Sequence, residues 1–292
     1  MLVTTNQSIS EIVPFKTKID IEKIVKTNLP PLPETALRIS ELLRNENVSN
    51  SALANVIGYD PLLATRILQL ANSPIYHQQK NVTSIQQALD VVGTQSLYDI
   101  VIMGITADIF AKEISNTKFG RTIWEHSLAV ALIAKELNQV LGSEDSDEAF
   151  ICGLLHDIGK IMLLRADTRN YLNILGINDE TEMLATERFT FGYNHAQVGA
   201  LVVRRWRLPE NVCYVILNHH DASQAYQAVN MAHIVNTADL VANFNGYGLR
   251  REQESTFLNS ESVQFLQLTP EKLNEVWEKI QSNLTNVIAT LT

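Results

Sequence analysis

The sequence predicts an all-α fold. Apolar residues recur every three or four positions through most of the chain, as in Glu34–Arg44 and Val229–Phe244, and this is the period of a helix. The 292 residues include only 12 glycines and 8 prolines, which favours long helices over a turn-rich β-structure. No segment shows the strict alternation of a half-buried strand. The 46% of hydrophobic residues is enough for a sizeable core.

Local signals place the elements of the first half. Residues 1–18 are expected to be a loosely ordered lead-in, and Ile19–Lys26 is predicted to be a short helix. Extended backbone follows at Leu29–Pro33, because each proline disfavours helix in the residue before it. After the helix Glu34–Arg44, two pairs of short helices are predicted, with Gly58 and Gly93 as breaks. The expected caps of these pairs are polar residues that can accept a backbone N–H: Ser49 or Asn50, Asp60, Ser84 and Thr94.

The second half is also predicted to be helical. An acidic loop is expected at Ser143–Asp147, and residues 165–185 are expected to mix helix and loop. The apolar period indicates these helices: Leu128–Leu137, Ala196–Arg205, Val212–Leu217, Val229–Phe244 and, capped by Thr269, Pro270–Leu291.

Charge argues against a nucleic-acid partner. The formal net charge is −9, whereas a nucleic-acid binder needs a basic face for phosphates. The densest basic cluster, Arg204–Arg207, is interpreted as a solvated helix end. The short helices within residues 51–73 are interpreted as packing elements, and a DNA-binding regulator that uses them is the weakest of the hypotheses.

Cysteine use and hydropathy favour a cytoplasmic protein. Cys152 and Cys213 have no CxxC spacing, which fits a reducing compartment. Residues 1–20 lack the basic start and apolar core of a signal peptide. No apolar run reaches the roughly 18 residues of a membrane span, so no membrane partner is expected.

The most informative stretch is Leu154–Lys160, which follows an apolar run and contains the adjacent pair His156 and Asp157. A buried, unpaired carboxylate is strongly disfavoured, so this pair needs a compensating partner. A divalent metal ion is one solution, since imidazole and carboxylate both ligate such ions. A plain hydrogen bond between Asp157 and a histidine is the other. The residues alone leave both open.

Six of the 7 histidines lie in the second half, together with Asp157 and Asp239. Asp239 shares a helix face with Asn236 and Asn243 within an otherwise apolar segment. A buried polar stripe needs partners, but a solvated face would explain it equally well.

The order His, His-Asp, Asp on separate helices resembles the ligand set of the HD superfamily of metal-dependent phosphohydrolases. The resemblance implies that a first metal is held by His126, His156, Asp157 and Asp239. Further histidines resemble the positions of two-metal members such as the HD-GYP phosphodiesterases. They imply a second ion, bridged by Asp157 and held by His195, His219 and His220. The ions implied are one or two of Fe, Mn, Mg, Zn or Ni. His77 and His233 match no ligand position.

Motifs outside the histidines narrow the resemblance to the HDOD (HD-related output domain) family. They lie between Ile21 and Phe244: Leu29–Pro33, Asp60–Leu63, Leu70–Pro74, Ser84–Ala88, Gly153–Lys160, Arg205–Glu210 and the pair at 219–220. The implied organisation is an extension at 1–20, a helical subdomain at 21–113, an HD-like helical bundle at 114–245 and a helical tail at 246–292.

Two main hypotheses follow from this resemblance. The first is a bacterial-type HDOD signalling protein with a retained metal site and a protein partner. The second is an active metal-dependent phosphohydrolase that cleaves a nucleotide or another phosphate ester, with Asp157 and Lys160 as catalytic residues. Lys160 would contact a substrate phosphate or would be a surface lysine near a helix end. The chain departs from HD-GYP because Asp221–Gln224 follows the His pair and no Gly-Tyr-Pro is present.

Overall fold

The structure is a computed structural model. It describes residues 25, 27, 29, 34–43, 48–72, 82–116, 118–142, 146–250 and 257–291. Every regular element in these ranges is helical, and none is a strand, which confirms the all-α prediction. The predictions for 1–18, for most of Ile19–Lys26 and of Leu29–Pro33, and for the start of the loop at Ser143 lie outside the described residues.

The first half packs short helices against one long helix. The helices are α1 (Glu34–Leu43), α2 (Asn50–Gly58), α3 (Pro61–Ala71), α4 (Ile85–Val92) and α5 (Thr94–Asn116). Their inward residues are fully buried, among them Ile39, Leu53, Ile57, Ile67 and Leu89.

Three of the predicted caps are confirmed. The Ser49 and Ser84 hydroxyls accept from the backbone N–H groups of Ala52 and Gln87, and a carboxylate oxygen of Asp60 accepts from Leu63 N at 3.0 Å. Gly93 breaks the chain in the left-handed region, with φ of 81°. The cap at Thr94 is wrong, because Thr94 is the first helical residue, and α5 runs past the predicted end near Phe110.

The second half is organised around one central helix. Its helices are α6 (Lys118–Val140), α7 (Ser146–Leu155), α8 (Ile158–Ala166), α9 (Thr168–Ile174), α10 (Glu180–Phe191), α11 (His195–Arg205), α12 (Glu210–Asn218) and α13 (Val229–Phe244). Helix α6 packs against α5, α7 and α13, and Trp124 on α6 is buried against the ring of Phe110 on α5. A Cβ added at Gly153 on α7 would lie 2.8 Å from Ala131 Cα on α6, so only glycine permits this approach.

The chain turns at His156 and Asp157 rather than continuing as a helix. Helix α7 ends at Leu155, and α8 begins at Ile158. Lys160 lies on α8, beyond this turn, and so does not share a helix with His156. The turn matters because it brings the side chains of both residues of the pair to one point, as the distances below show.

The remaining helices are α14 (Glu261–Phe265) and α15 (Pro270–Leu291). The bounds of α15 agree with the prediction, whereas α14 was not predicted. Helix α15 packs on α6, and its buried face includes Leu273, Val276 and Leu284 in the same hydrophobic core. No helix within the described ranges has the length and hydropathy that a bilayer crossing requires.

Candidate metal centre

The first predicted ligand group comes together in the structure. His126 on α6, His156 and Asp157 in the α7–α8 turn, and Asp239 on α13 are all buried. His126 Nε2 lies 2.9 Å from Asp239 Oδ1 and 3.2 Å from His156 Nε2. Asp157 Oδ2 lies 3.4 Å from His156 Nε2 and 3.7 Å from His126 Nε2. Four potential ligand atoms thus face one another from three different elements.

The second group faces the other oxygen of Asp157. His195 is the first residue of α11, and His219 and His220 directly follow α12. The Nε2 atoms of His195 and His219 lie 3.2 and 3.8 Å from Asp157 Oδ1, and His220 Nε2 lies 2.7 Å from His195 Nε2. Asp157 therefore stands between the two groups, with one oxygen toward each.

Four imidazole rings of the site are each oriented by a hydrogen bond at the Nδ1 atom, which points away from the other ligands. In three of the rings, the Nδ1 atom donates to a backbone carbonyl oxygen at 2.6 to 2.7 Å. These rings belong to His126, His156 and His219. Nδ1 of His195 lies 2.8 Å from the Glu187 carboxylate. When the rings are neutral, such bonds favour the tautomer in which Nε2 carries a lone pair. The four inward Nε2 atoms are consequently presented as acceptors.

Close helix packing brings the two groups together. A Cβ on Gly159 of α8 would overlap the carbonyl oxygen of His195 and lie 2.8 Å from Gly199 N on α11. Both positions lack a side chain, so the backbones of α8 and α11 meet directly. The Asn194 side chain caps α11 and fixes the start of the helix, where His195 lies.

The comparison with known families agrees with these features. A family model of the HDOD domain matches residues 29–222, well over half of the chain. The chain belongs to the HDOD family. This confirms the resemblance that the motifs of both halves suggested.

Two curated relatives match this HDOD chain over only part of their own length. A protein of Treponema pallidum (strain Nichols) is 25% identical over 201 residues, which are 68% of this chain and 39% of the relative. Ribonuclease Y of Thermotoga petrophila is 26% identical over 145 residues, which are 49% of this chain and 24% of that protein. The chain thus spans about two fifths or less of the length of these relatives.

Solved structures share the fold. An HDOD domain protein of unknown function from Geobacter sulfurreducens is 24% identical with a TM-score of 0.73, over 93% of this chain and 98% of that one. A candidate phosphohydrolase from Shewanella amazonensis SB2B is 23% identical with a TM-score of 0.75 and the same coverage. A candidate signal transduction protein from Marinobacter aquaeolei VT8 is 20% identical with a TM-score of 0.70, over 97% of this chain and 64% of that one.

The carboxylates of the HDOD site are held ionised. Burial by itself raises the pKa of Asp157, but the positive charges of His156 and Lys160 outweigh burial and hold the pKa well below its usual range. The pKa of Asp239 is likewise well below its usual range, because the hydrogen bond that the protonated form of His126 donates, and the charge of that ring, outweigh burial. Ionised carboxylates are the form that ligates metal.

The histidine at the centre of the second group is held neutral. Burial lowers the pKa of His219 well below its usual range, and the neighbouring imidazoles of His220, His156 and His195 lower it further. A neutral imidazole is the ligating form. Neither Nε2 of His219 nor Oδ1 of Asp157 has a hydrogen-bond partner among the described residues, although both atoms are buried.

Lys160 lies inside the HDOD site. Its Nζ donates to Asp157 Oδ2 at 2.5 Å, and the residue is only 6% exposed, so its interpretation as a surface lysine is wrong. His233, which matched no ligand position, lies outside the cluster; its Nδ1 is 2.9 Å from Ser262 Oγ, and its ring stacks on Phe265. His77 lies outside the described residues.

The structure adds a buried acid that the sequence reading missed. Glu187 on α10 is fully buried, and it accepts hydrogen bonds from the Tyr171 hydroxyl at 2.7 Å and from His195 N at 2.8 Å. The sequence contains a signal for it. Glu187 is spaced four residues from both Met183 and Phe191, so it interrupts the apolar face of α10 with a carboxylate.

A second missed pair closes the site. Glu180 Oε1 lies 2.8 Å from His220 Nδ1 and 2.5 Å from Arg250 Nη1, and Arg250 Nη2 lies 3.8 Å from Asp239 Oδ2. Although burial opposes it, the charges of His220 and Arg250 lower the pKa of Glu180 to about 2. The cavity beside these side chains is about 10 Å³, which is room for about one water molecule.

Proposed function

We propose that this HDOD protein is a regulatory module of signal transduction that retains an HD-type site and binds one or two divalent metal ions there. His126, His156, Asp157 and Asp239 would hold the first ion, and His195, His219 and His220 would hold the second. Asp157 would bridge the two ions. Thiolate ligands are absent from both groups, so Fe, Mn, Zn and Ni suit the sites better than soft ions do.

One observation carries the proposal. The Nε2 atoms of His126 and His156 face each other at 3.2 Å, while the Nδ1 atom of each ring is occupied by a carbonyl oxygen. When both rings are neutral, their two lone pairs point at one another and repel unless a cation lies between them. A cation there would also satisfy the unpartnered Asp157 Oδ1 and His219 Nε2.

The closed site supports a regulatory role over catalysis. A divalent ion supplies Lewis-acid chemistry, since it lowers the pKa of water and neutralises charge on phosphoryl oxygens. The cavity there, which Arg250 lines, is about 10 Å³ and has no room for a phosphate ester while Arg250 is paired with Glu180. The signal-transduction name of the Marinobacter structure supports the same role, and a protein partner would then bind elsewhere on the surface.

The alternative is an active phosphohydrolase. Two cations line the cavity, Lys160 beside Asp157 and Arg250 beside Asp239, and both could contact a phosphoryl group once the cover opens. The names of the Shewanella structure and of the ribonuclease Y relatives make phosphodiesters the first substrates to test. The net charge of −9 still argues against nucleic acid as a stable partner.

The cellular compartment is also part of the proposal. Cys152 and Cys213 are both free and buried. Free thiols fit a reducing environment, so we place the protein in the cytoplasm.

Metal content tests the proposal. After purification and exchange into buffer with Fe²⁺, Mn²⁺ or Zn²⁺, we expect elemental analysis to find at least about one ion per chain in the wild type. The double variant His156→Ala/Asp157→Ala should lose it, because it removes two ligands and the bridge. His233→Ala is the matched control, since it removes a buried histidine outside the cluster and should keep the metal. Equal metal in the wild type and the double variant would falsify the ligand assignment.

A substrate screen separates the two candidate functions. The metal-loaded protein is incubated with phosphodiesters and nucleotides in the presence of Mn²⁺ or Fe²⁺. Turnover that disappears in His156→Ala/Asp157→Ala supports the phosphohydrolase. Tight metal binding without turnover supports the regulatory module.

A further inference from the structure

A short segment after α13 runs back toward the metal centre. The chain leaves α13 through a turn at Gly246, whose φ of 84° lies in the left-handed region that glycine adopts readily. A hydrogen bond from Tyr247 N to Ala242 O at 2.9 Å closes this turn. Residues 246–250, which we call the strap, are therefore folded back on the helix that carries Asp239.

The strap bonds to the metal centre at two points. The backbone carbonyl oxygen of Tyr247 accepts from His126 Nδ1 at 2.6 Å. At the end of the strap, the Arg250 guanidinium pairs with Glu180 on α10. The bond at Nδ1 holds the His126 ring with Nε2 toward Asp239 Oδ1, which lies 2.9 Å away. The strap thus supplies the group that orients the first proposed ligand.

Gly248 lets the strap lie close to α13. A Cβ at this position would overlap Asn243 Oδ1, so only glycine permits the approach. The Asn243 amide in turn donates to Asp239 Oδ1 at 2.8 Å. The strap is therefore packed on a side chain that bonds a second proposed ligand, and a shift of the strap would be felt at both.

The Tyr247 ring packs against the C-terminal helix. Its centroid lies 5.6 Å from that of Trp277 on α15, with the two rings tilted by 56°, which is a favourable aromatic pair. Helix α15 is itself held on the core by the buried side chains of Leu273 and Val276. The contact of Trp277 with Tyr247 thereby links a helix near the C-terminus to the orientation of His126.

We propose that Trp277 is a positioning residue for the first metal ion. Trp277 holds the Tyr247 ring, the strap then keeps its carbonyl oxygen on His126, and α15 thereby sets how tightly the ion is bound. This inference rests on the proposed function, since it requires that His126 ligates an ion. It adds a regulation of that site by a part of the chain that contributes no ligand.

Competition of the full chain with a chromophoric chelator for Zn²⁺ tests this role. Trp277→Ala should weaken the binding of one ion about tenfold, since changes behind a ligating histidine lower metal affinity by about 10- to 100-fold. Trp277→Phe keeps an aromatic ring and should restore most of the affinity. Leu284→Ala is the matched control, because it removes a fully buried side chain of α15 two turns further on and should bind Zn²⁺ like the wild type.

Hydrogen exchange of the metal-free protein gives a readout that does not depend on the ligands. The Tyr247 amide should exchange about tenfold faster in Trp277→Ala than in the wild type, because the strap opens locally, and at the wild-type rate in Leu284→Ala. The proposal is overturned if Trp277→Ala binds Zn²⁺ as tightly as the wild type, or if Leu284→Ala weakens binding equally.

Failure of the proposed function would look different. If the wild type binds no Zn²⁺, the ligand assignment fails and the effect on the ion with it. Faster exchange in Trp277→Ala alone would then still support the hold of α15 on the strap, and equal exchange rates would overturn that as well.

Discussion

Two regions along helices α6 and α13 of this HDOD protein bury polar groups in opposite ways. Helix α6 carries His126 at the metal centre and, twelve residues or about 18 Å further on, Asn138, which lines a separate cavity of about 550 Å³. Helix α13 likewise carries Asp239 at the metal centre and Met231, eight residues earlier, at the cavity. The metal centre is crowded with charged groups and nearly filled, whereas the cavity has Glu148 as the one charged side chain among its described lining residues and leaves about 550 Å³ open.

The difference shows what makes buried polarity tolerable. At the metal centre, each ionised group meets an opposite charge, as Asp157 does with Lys160, and the low dielectric strengthens that attraction. At the cavity, the Asn138 amide has no such neighbour among the described residues. Removing a polar group should therefore destabilise the first region and stabilise the second.

The largest effect is expected where the two ligand groups meet. Gly159→Ala would push its methyl group into the backbone carbonyl of His195, which neither helix can avoid without moving. We expect a loss of about 3 kcal/mol in the free energy of unfolding, together with loss of bound metal. Urea unfolding and elemental analysis would measure both.

Gly58→Ala is the control for this substitution, because a Cβ at Gly58 would meet no atom within 4 Å. It should leave metal content and stability unchanged or raise stability by up to about 1 kcal/mol. If Gly159→Ala behaved in the same way, the close approach of α8 and α11 would not be what holds the two groups together.

An intermediate effect is expected from the buried acid behind His195. Glu187→Gln removes the charge that accepts from His195 Nδ1, and it should lower metal affinity about 10- to 100-fold. Stability should fall by about 2 kcal/mol, because a buried hydrogen-bond network is weakened. Competition with a chromophoric chelator would measure the affinity. Glu182→Gln, at an exposed position on the same helix, should change neither quantity, and an unaltered affinity in Glu187→Gln would contradict the role of Glu187.

The smallest effect has the opposite sign. Without any ligand, Asn138→Leu should raise the free energy of unfolding by about 1 kcal/mol, because an unpaired amide is replaced by an apolar group of similar size. Urea unfolding of wild type and variant would measure it. A destabilisation of that size would mean that the amide is satisfied in the folded protein, and the contrast between the two regions would disappear.

Much of the helical pattern is readable from the sequence because its causes are local. Ser49, Asp60 and Ser84 bond backbone groups three residues away, so their caps follow from neighbours in the chain. The end of α5 was misjudged, since its last turns follow no local stop signal. The break at His156 and Asp157 was also missed, because an apolar flank on each side resembles one continuous helix.

The candidate site, too, was predictable from the sequence only in part. The sequence determined which residues are candidates: His126, His156, Asp157, His195, His219, His220 and Asp239 all face one another in the structure. It left open whether Lys160 lies at the surface, and it did not indicate that Glu180 and Arg250 form an ion pair beside the site.

The sequence by itself thus determined most of the helices and the identity of the polar residues, since propensity, capping and residue chemistry act over a few positions. Only the tertiary structure decided which oxygen of Asp157 faces which histidines, and that Asn138 is buried beside an open cavity. Both outcomes depend on how closely helices far apart in the chain approach one another, and such an approach is set by packing across the whole core.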